Sequence, residues 1–139
     1  WKDTGTPEDI LEANRLILDE LKPEIKIEIK DNGSIQGRVS IGENTIIEQG
    51  ALIRGPVVIG SNTKIGKNVY IGPYSSIGSN VNIIRGEIEN SIIMDNCIID
   101  VEERIIDSLI APHSHIASDN RSKPKGRRFI LGERSRVEL

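Results

Sequence analysis

An all-β fold, a parallel coil of short stacked strands, is what this chain predicts, and three regularities carry the prediction. Isoleucine recurs every six residues, without a miss, at Ile35, Ile41, Ile47, Ile53, Ile59, Ile65, Ile71, Ile77 and Ile83. From Ile41 onward, a small or β-branched residue stands two positions earlier: Val39, Thr45, Ala51, Val57, Thr63, Val69, Ser75 and Val81. Three positions after the isoleucine, most hexads carry Asn or Gly, as at Asn44, Gly50, Asn62, Asn68, Asn80 and Gly86. A six-residue period matches neither a helix face nor a lone alternating strand and marks a repeat architecture. A spacing of two puts both side chains on one face of an extended segment. Asn and Gly tolerate positive φ at a corner. Each hexad is therefore a strand and a corner, and three hexads per turn close a parallel β-helix.

The elements follow in order. Thr6-Pro7-Glu8-Asp9 is a helix start: a hydroxyl N-cap, proline at the first helical position, then acids that suit the positive end of the dipole. Ile10, Leu11, Ile17, Leu18 and Leu21 supply an apolar stripe at helical spacing, and Lys22-Pro23 ends the element. Ile25, Ile27 and Ile29 alternate with charge as one amphipathic strand, and Asp31-Asn32-Gly33 turns the chain into the repeat. Nine hexads make three full coils up to Ile83. The register then slips to five residues at Ile88 and Ile93, returns to six at Ile99, and is interrupted by an expected bulge at residues 100–104. Ile110 and Ile116 resume it, with Ser91, Cys97, Ser108 and Ser114 in the small slots, so about five coils are expected. At a strand spacing of about 4.8 Å they stack to about 24 Å. A polar basic loop follows Ala117, and Phe129-Ile130-Leu131-Gly132 reads as a last strand. The expected organisation is a connecting segment over 1–22 and a β-helix domain over 23–139; opening on Trp1, the chain reads as a piece of something longer.

Composition removes several classes. One Trp, two Tyr and one Phe leave an aliphatic interior, which suits a prism lined by one stacked residue type. A net charge of −3 argues against a nucleic-acid or membrane-surface partner. The single cysteine, Cys97, precludes an internal disulfide and sits in an inward slot as an inert thiol. With no long apolar run and no signal peptide in the sequence, a cytoplasmic location is expected.

The residue before each inward isoleucine points outward. Leu52, Tyr70 and Ile88, eighteen residues apart, read as a vertical apolar stripe, with Ile92, Ile98 and Leu109 outward in the later coils. Such a stripe predicts an interface, with Leu52, Tyr70, Ile92 and Ile98 burying against another copy in a homo-oligomer, a trimer in particular, or against the leading helix, Pro7 to Leu21, or the rest of a longer chain.

The hexads resemble the hexapeptide-repeat, left-handed parallel β-helix family, and the expected handedness comes from that resemblance, since left-handed crossovers break the usual rule. The family is functionally mixed, so the two ends of the chain carry the narrower likeness. Trp1-Lys2-Asp3-Thr4-Gly5-Thr6-Pro7-Glu8-Asp9 with Leu11-Glu12-Ala13-Asn14 looks like the closing segment of the catalytic domain of sugar-1-phosphate nucleotidyltransferases. Glu89-Asn90-Ser91-Ile92-Ile93, Asp107-Ser108-Leu109-Ile110 and Ile130 to Leu139 resemble the long form of glucose-1-phosphate thymidylyltransferases, which carry a β-helix after that domain. The resemblance implies a parent enzyme that makes dTDP-glucose and pyrophosphate from dTTP and glucose-1-phosphate. It also implies that Asp3 matches one of two aspartates holding catalytic Mg²⁺, a cation that prefers carboxylate and phosphate oxygen. The remaining machinery lies upstream in that family, so the fragment itself is expected to be inactive and to serve assembly or regulation.

The rival enzyme reading also comes from the hexapeptide-repeat family, whose acyltransferases are trimers that bind coenzyme A between prisms and use a histidine base. His113 and His115, at the corner of a late coil, are the candidates for the base. Lys123, Lys125, Arg127 and Arg128 could meet the phosphates of coenzyme A.

Overall fold

A computed structural model describes residues 5–30, 34–118, 129, 131–132 and 135–139. Among these residues, helix α1 (Pro7–Asp19) leads into thirteen short strands. They are β1 (Ile35–Gln36), β2 (Val39–Ile41), β3 (Ile46–Ile47), β4 (Leu52–Arg54), β5 (Val57–Ile59), β6 (Lys64–Ile65), β7 (Tyr70–Ile71), β8 (Ser75–Ile77), β9 (Asn82–Glu89), β10 (Ile92–Ile93), β11 (Ile98–Ile106), β12 (Leu109–Ile110) and β13 (His115–Ala117). All their pairings are parallel and link each coil to the next, giving a left-handed prism of about five turns.

Three faces result. The first stacks β2, β5, β8, β10 and β12; the second stacks β3, β6, the start of β9, the start of β11, and β13. The third stacks β1, β4, β7 and the ends of β9 and β11. Inside, the isoleucines form ladders. On the first face Ile41, Ile59, Ile77, Ile93 and Ile110 lie one above another, all buried. Ile53, Ile71 and Ile88 do so on the third face at 0% exposure, with Ile35 and Ile105 partly covered at its two ends. The small slots are inward as well: Val39, Thr45, Ala51, Val57, Thr63, Val69, Ser75, Val81, Ser91 and Cys97 are all buried.

The corners explain the Asn and Gly positions. Asn44, Asn62, Asn68, Asn80 and Asn96 have φ between 55° and 62°, and Gly50 has φ 86°. Gly50 is required twice over, because a Cβ there would also run into the Asn68 side-chain oxygen of the next coil. One corner is exceptional: Tyr74 takes φ 65° where the coils above it place Asn90 and Asp107, both also at positive φ, and the coil below places Pro56.

Four expectations change. Ile88 points inward at 0% exposure, because the five-residue hexads shift the register; Tyr70 is aligned with Glu87, and Ile71 with Ile88. The segment at Ile25, Ile27 and Ile29 makes only a single bridge, Ile25 to Ile41, while Ile27 and Ile29 pack against the core near the first coil. Phe129, Leu131 and Gly132 form no strand, and the two large side chains are about half exposed. On α1, Leu11 and Leu18 are buried, but Ile17 and its neighbour Leu16 face solvent. The expected bulge in the fourth coil is present, as register shifts between Ile99 and Arg104.

Candidate functional site

The richest polar constellation is the seam between α1 and the prism. Thr6 caps the helix start, its hydroxyl accepting from the Asp9 amide at 3.1 Å. The last turn has no basic residue. Arg38, from the first coil, takes that role: its guanidinium donates to the carbonyls of Leu18 (3.1 Å), Asp19 (2.9 Å) and Leu21 (3.1 Å). The Ser40 hydroxyl donates to the Lys22 carbonyl at 3.2 Å and accepts from the Glu24 amide at 3.1 Å. Two coils up, the Ser76 hydroxyl donates to Asn14 Oδ1 at 2.6 Å, while Asn14 Nδ2 donates to the Tyr74 carbonyl at 3.2 Å. The Tyr74 hydroxyl donates to Asp19 Oδ1 at 2.6 Å, and the Arg15 guanidinium lies 3.9 Å from the Tyr74 ring centroid. That hydrogen bond, together with partial burial, raises the Tyr74 pKa above the ordinary phenol value.

A second constellation lies on the third face. Tyr70 stacks above Leu52, but Glu87 continues the column where an apolar residue was expected, and Arg104 follows. Arg104 pairs with Glu87 at 2.8 Å and Glu89 at 3.7 Å, and the Tyr70 hydroxyl donates to Glu89 at 3.4 Å. The guanidinium carbons of Arg54 and Arg104 lie 5.8 and 5.7 Å from the Tyr70 ring centroid. Arg85 bridges Asp100 and, at 3.2 Å, Glu102. Leu52 and Tyr70 thus sit beside a mixed-charge network. Ile98 lies on the second face with exposed Ile46, and Ile92 lies on the first face, so the four anticipated interface residues occupy three faces.

The two histidines have separate placements. His113 occupies a corner at φ 63°, and its amide donates to the Asp95 carbonyl at 3.1 Å. It takes the conformation that Asn44, Asn62, Asn80 and Asn96 take in the coils below, which gives its position a backbone reason. His115 is on β13, exposed, and paired in register with Ile98. A shallow depression on the first face is lined by Ser76, Gly78, Ile92, Met94, Asp95 and Pro112, without either histidine. Asp3, Lys123, Lys125, Arg127 and Arg128 lie outside the described residues. Among the described residues no group of three or more His, Cys, Asp or Glu side chains is gathered to hold a metal. The Cys97 thiol donates to the Ala111 carbonyl at 3.2 Å, and burial pushes its pKa up, as expected for an inert core thiol. No helix among the described residues is long and apolar enough to cross a membrane.

Sequence reasoning missed Arg38, Asn14, Tyr74 and Ser76. One signal was available: Tyr74 stands three residues after Ile71, in a slot that Asn or Gly fills in most hexads.

Prism, leading helix and repeat pattern together define a hexapeptide-repeat β-helix domain of the kind related to sugar-1-phosphate nucleotidyltransferases. Residues 53–138 match the model of the GMPPB C-terminal domain, and the chain belongs to that family. Across all 139 residues it is 40% identical to the low-salt glycan biosynthesis nucleotidyltransferase Agl11 of Haloferax volcanii, of which it covers 39%. It is 36% identical, again over 139 residues, to a glucose-1-phosphate thymidylyltransferase of Streptomyces antibioticus, covering 38% of that protein. A 52-residue stretch, 37% of the chain, is 46% identical to the bifunctional protein GlmU of Methanocaldococcus jannaschii and covers 11% of it. The chain spans about two fifths of the length of the first two relatives.

Proposed function

We propose that this chain is the β-helical assembly region of a cytoplasmic nucleotidyltransferase whose full-length form makes dTDP-glucose and pyrophosphate from dTTP and glucose-1-phosphate. The observation that carries the reading is the unbroken similarity, over all 139 residues, to proteins named as nucleotidyltransferase and thymidylyltransferase. The seam supports it, because α1 is docked on the prism by side chains from several coils, as a connector between two working parts would be. Asp3 is proposed as one Mg²⁺ ligand, the others coming from outside the described residues. The bound cation would offset charge on the triphosphate as the sugar phosphate attacks. The isolated chain is proposed to lack the transferase activity.

Pyrophosphate release by the full-length protein, compared across dTTP, UTP and other triphosphates with glucose-1-phosphate, tests this directly. Turnover with dTTP that falls at least about a hundredfold in Asp3→Asn is expected. Near-wild-type turnover in that variant removes Asp3 from the metal site. Acetyl transfer from acetyl-CoA by the isolated chain, lost in His113→Ala or His115→Ala, would replace the assembly reading with the acyltransferase one.

We further propose that the region self-associates as a cyclic trimer. A triangular prism can present its third face, with Leu52 and Tyr70, to the second face of a neighbour, with Ile46 and Ile98. Such a head-to-tail contact closes into a ring.

A further inference from the structure

Tyr74 stands at a left-handed corner of the prism, at φ 65°, where most described corners carry Asn, Asp or Gly. Bulky side chains seldom adopt that conformation, and such positions persist only where surrounding contacts hold them. Here the contacts are to α1. The Tyr74 hydroxyl reaches Asp19, its ring carries Arg15, and its carbonyl receives Asn14. Arg15 also reaches Asn90 Oδ1, in the next coil, at 3.4 Å. The same, C-terminal end of the helix that Tyr74 reaches through Asp19 is finished by Arg38, which donates to the carbonyls of Leu18 and Asp19 and, just past the helix, of Leu21. The grip therefore extends from the first coil to the fourth, so the helix can neither slide along the prism nor swing about one point.

We propose that Tyr74 and Arg38 are positioning residues that lock α1 to the prism and so fix the angle of whatever precedes Pro7. The lock is a property of this chain; only the identity of the preceding domain rests on the proposed function. Its distinguishing feature is a trade. A corner residue suited to φ above zero would serve the prism better, whereas the tyrosine serves the helix.

The test separates those two effects. Tyr74→Asn supplies the residue that neighbouring corners use and removes the grip on Asp19 and Arg15. Its prism is expected to melt at or above the wild-type temperature, while amide exchange across residues 7–19 accelerates about tenfold or more. Arg38→Gln is expected to accelerate exchange in the last turn with the prism amides unchanged. Tyr74→Phe, which deletes only the hydroxyl bond, and Asp19→Ala, which removes its acceptor, read the same effect with less disturbance should Tyr74→Asn fold poorly. Exchange over residues 7–19 that stays at the wild-type rate in these variants overturns the lock. So does a loss of protection shared equally by helix and prism, which would make Tyr74 an ordinary stabilising residue. A full-length protein without transferase activity would remove the proposed function and leave the exchange result standing.

Discussion

A single inward isoleucine decides more here than in a layered domain, because each is one rung of a column and its neighbours above and below are the same residue. Ile65 is at 0% exposure between Ile47 and Ile83. Ile65→Ala is expected to cost about 2–5 kcal/mol, read from urea unfolding, and Ile65→Asp to prevent folding at ordinary temperature. A soluble Ile65→Asp protein with unchanged melting would sink the inward assignment. Ser75 is the counterexample: its hydroxyl is buried without a hydrogen-bond partner, in a slot that the coils below fill with Val57 and Val39. Ser75→Ala is expected to raise stability by up to about 1 kcal/mol. Tyr74 gives a pH prediction. Its folded pKa lies above the unfolded phenol value, chiefly through the bond to Asp19, so its stabilisation is complete below the unfolded value. That contribution is lost as pH rises through the folded value. Absorbance titration is expected to show one tyrosine ionising late, and Asp19→Ala, which removes the acceptor, to bring it back. The isoleucine period made every rung up to Ile83 legible in sequence. Ile88 reads two ways in sequence, as the next rung after a five-residue slip and as the top of the outward Leu52–Tyr70 stripe; the fold keeps the rung and gives the outward slot to Glu87.

Among the elements, the helix shows where sequence pattern stops. Its start was legible because the N-cap is written in consecutive residues, Thr6 to Asp9, and Thr6→Ala is expected to cost about 1 kcal/mol of helix stability. Circular dichroism at the helix minimum, measured on the chain, checks this. Its end was legible to within a few residues, Lys22-Pro23 against an observed last residue of Asp19, but its cap was not, since Arg38 is 19 residues from Asp19 in sequence and reaches it only when the first coil has formed. The docked face was half legible. Leu11 and Leu18 face the prism as a period of seven demands, but Asn14 stands between them, and its two bonds to Ser76 and Tyr74 turn the contact toward that line. Ile17 is thereby rotated into solvent. An apolar count predicts a stripe; a half-buried amide with two partners decides which stripe is used. The histidines teach the converse: His113 drew attention as chemistry, and a repeated corner conformation accounts for its place.

At the scale of the whole molecule, the prism has three faces, and α1 engages one corner and the adjoining edge of the first face, from the first coil to the fourth. The second face leaves Ile46 56% exposed and Ile98 39% exposed, separated by Lys64 and Asn82 in the same column. The third presents Leu52 and Tyr70 beside arginines and carboxylates already paired with one another. Neither is apolar enough to aggregate indiscriminately, and the pair together offers hydrophobic anchors ringed by charge, the composition of a specific interface. Two unlike faces of a triangular prism meet at about 120° around a threefold axis only if every copy is oriented the same way, and parallel prisms satisfy this. The chain is therefore expected to sediment as a trimer at micromolar concentration. Ile98→Lys and Tyr70→Lys, placed on opposite sides of the same contact, are each expected to shift it toward monomer and to show no additional loss when combined, since one broken interface cannot be broken twice. A wild-type chain that is monomeric, with both variants behaving identically to it, would remove self-association and assign these faces to contacts with the rest of a longer protein.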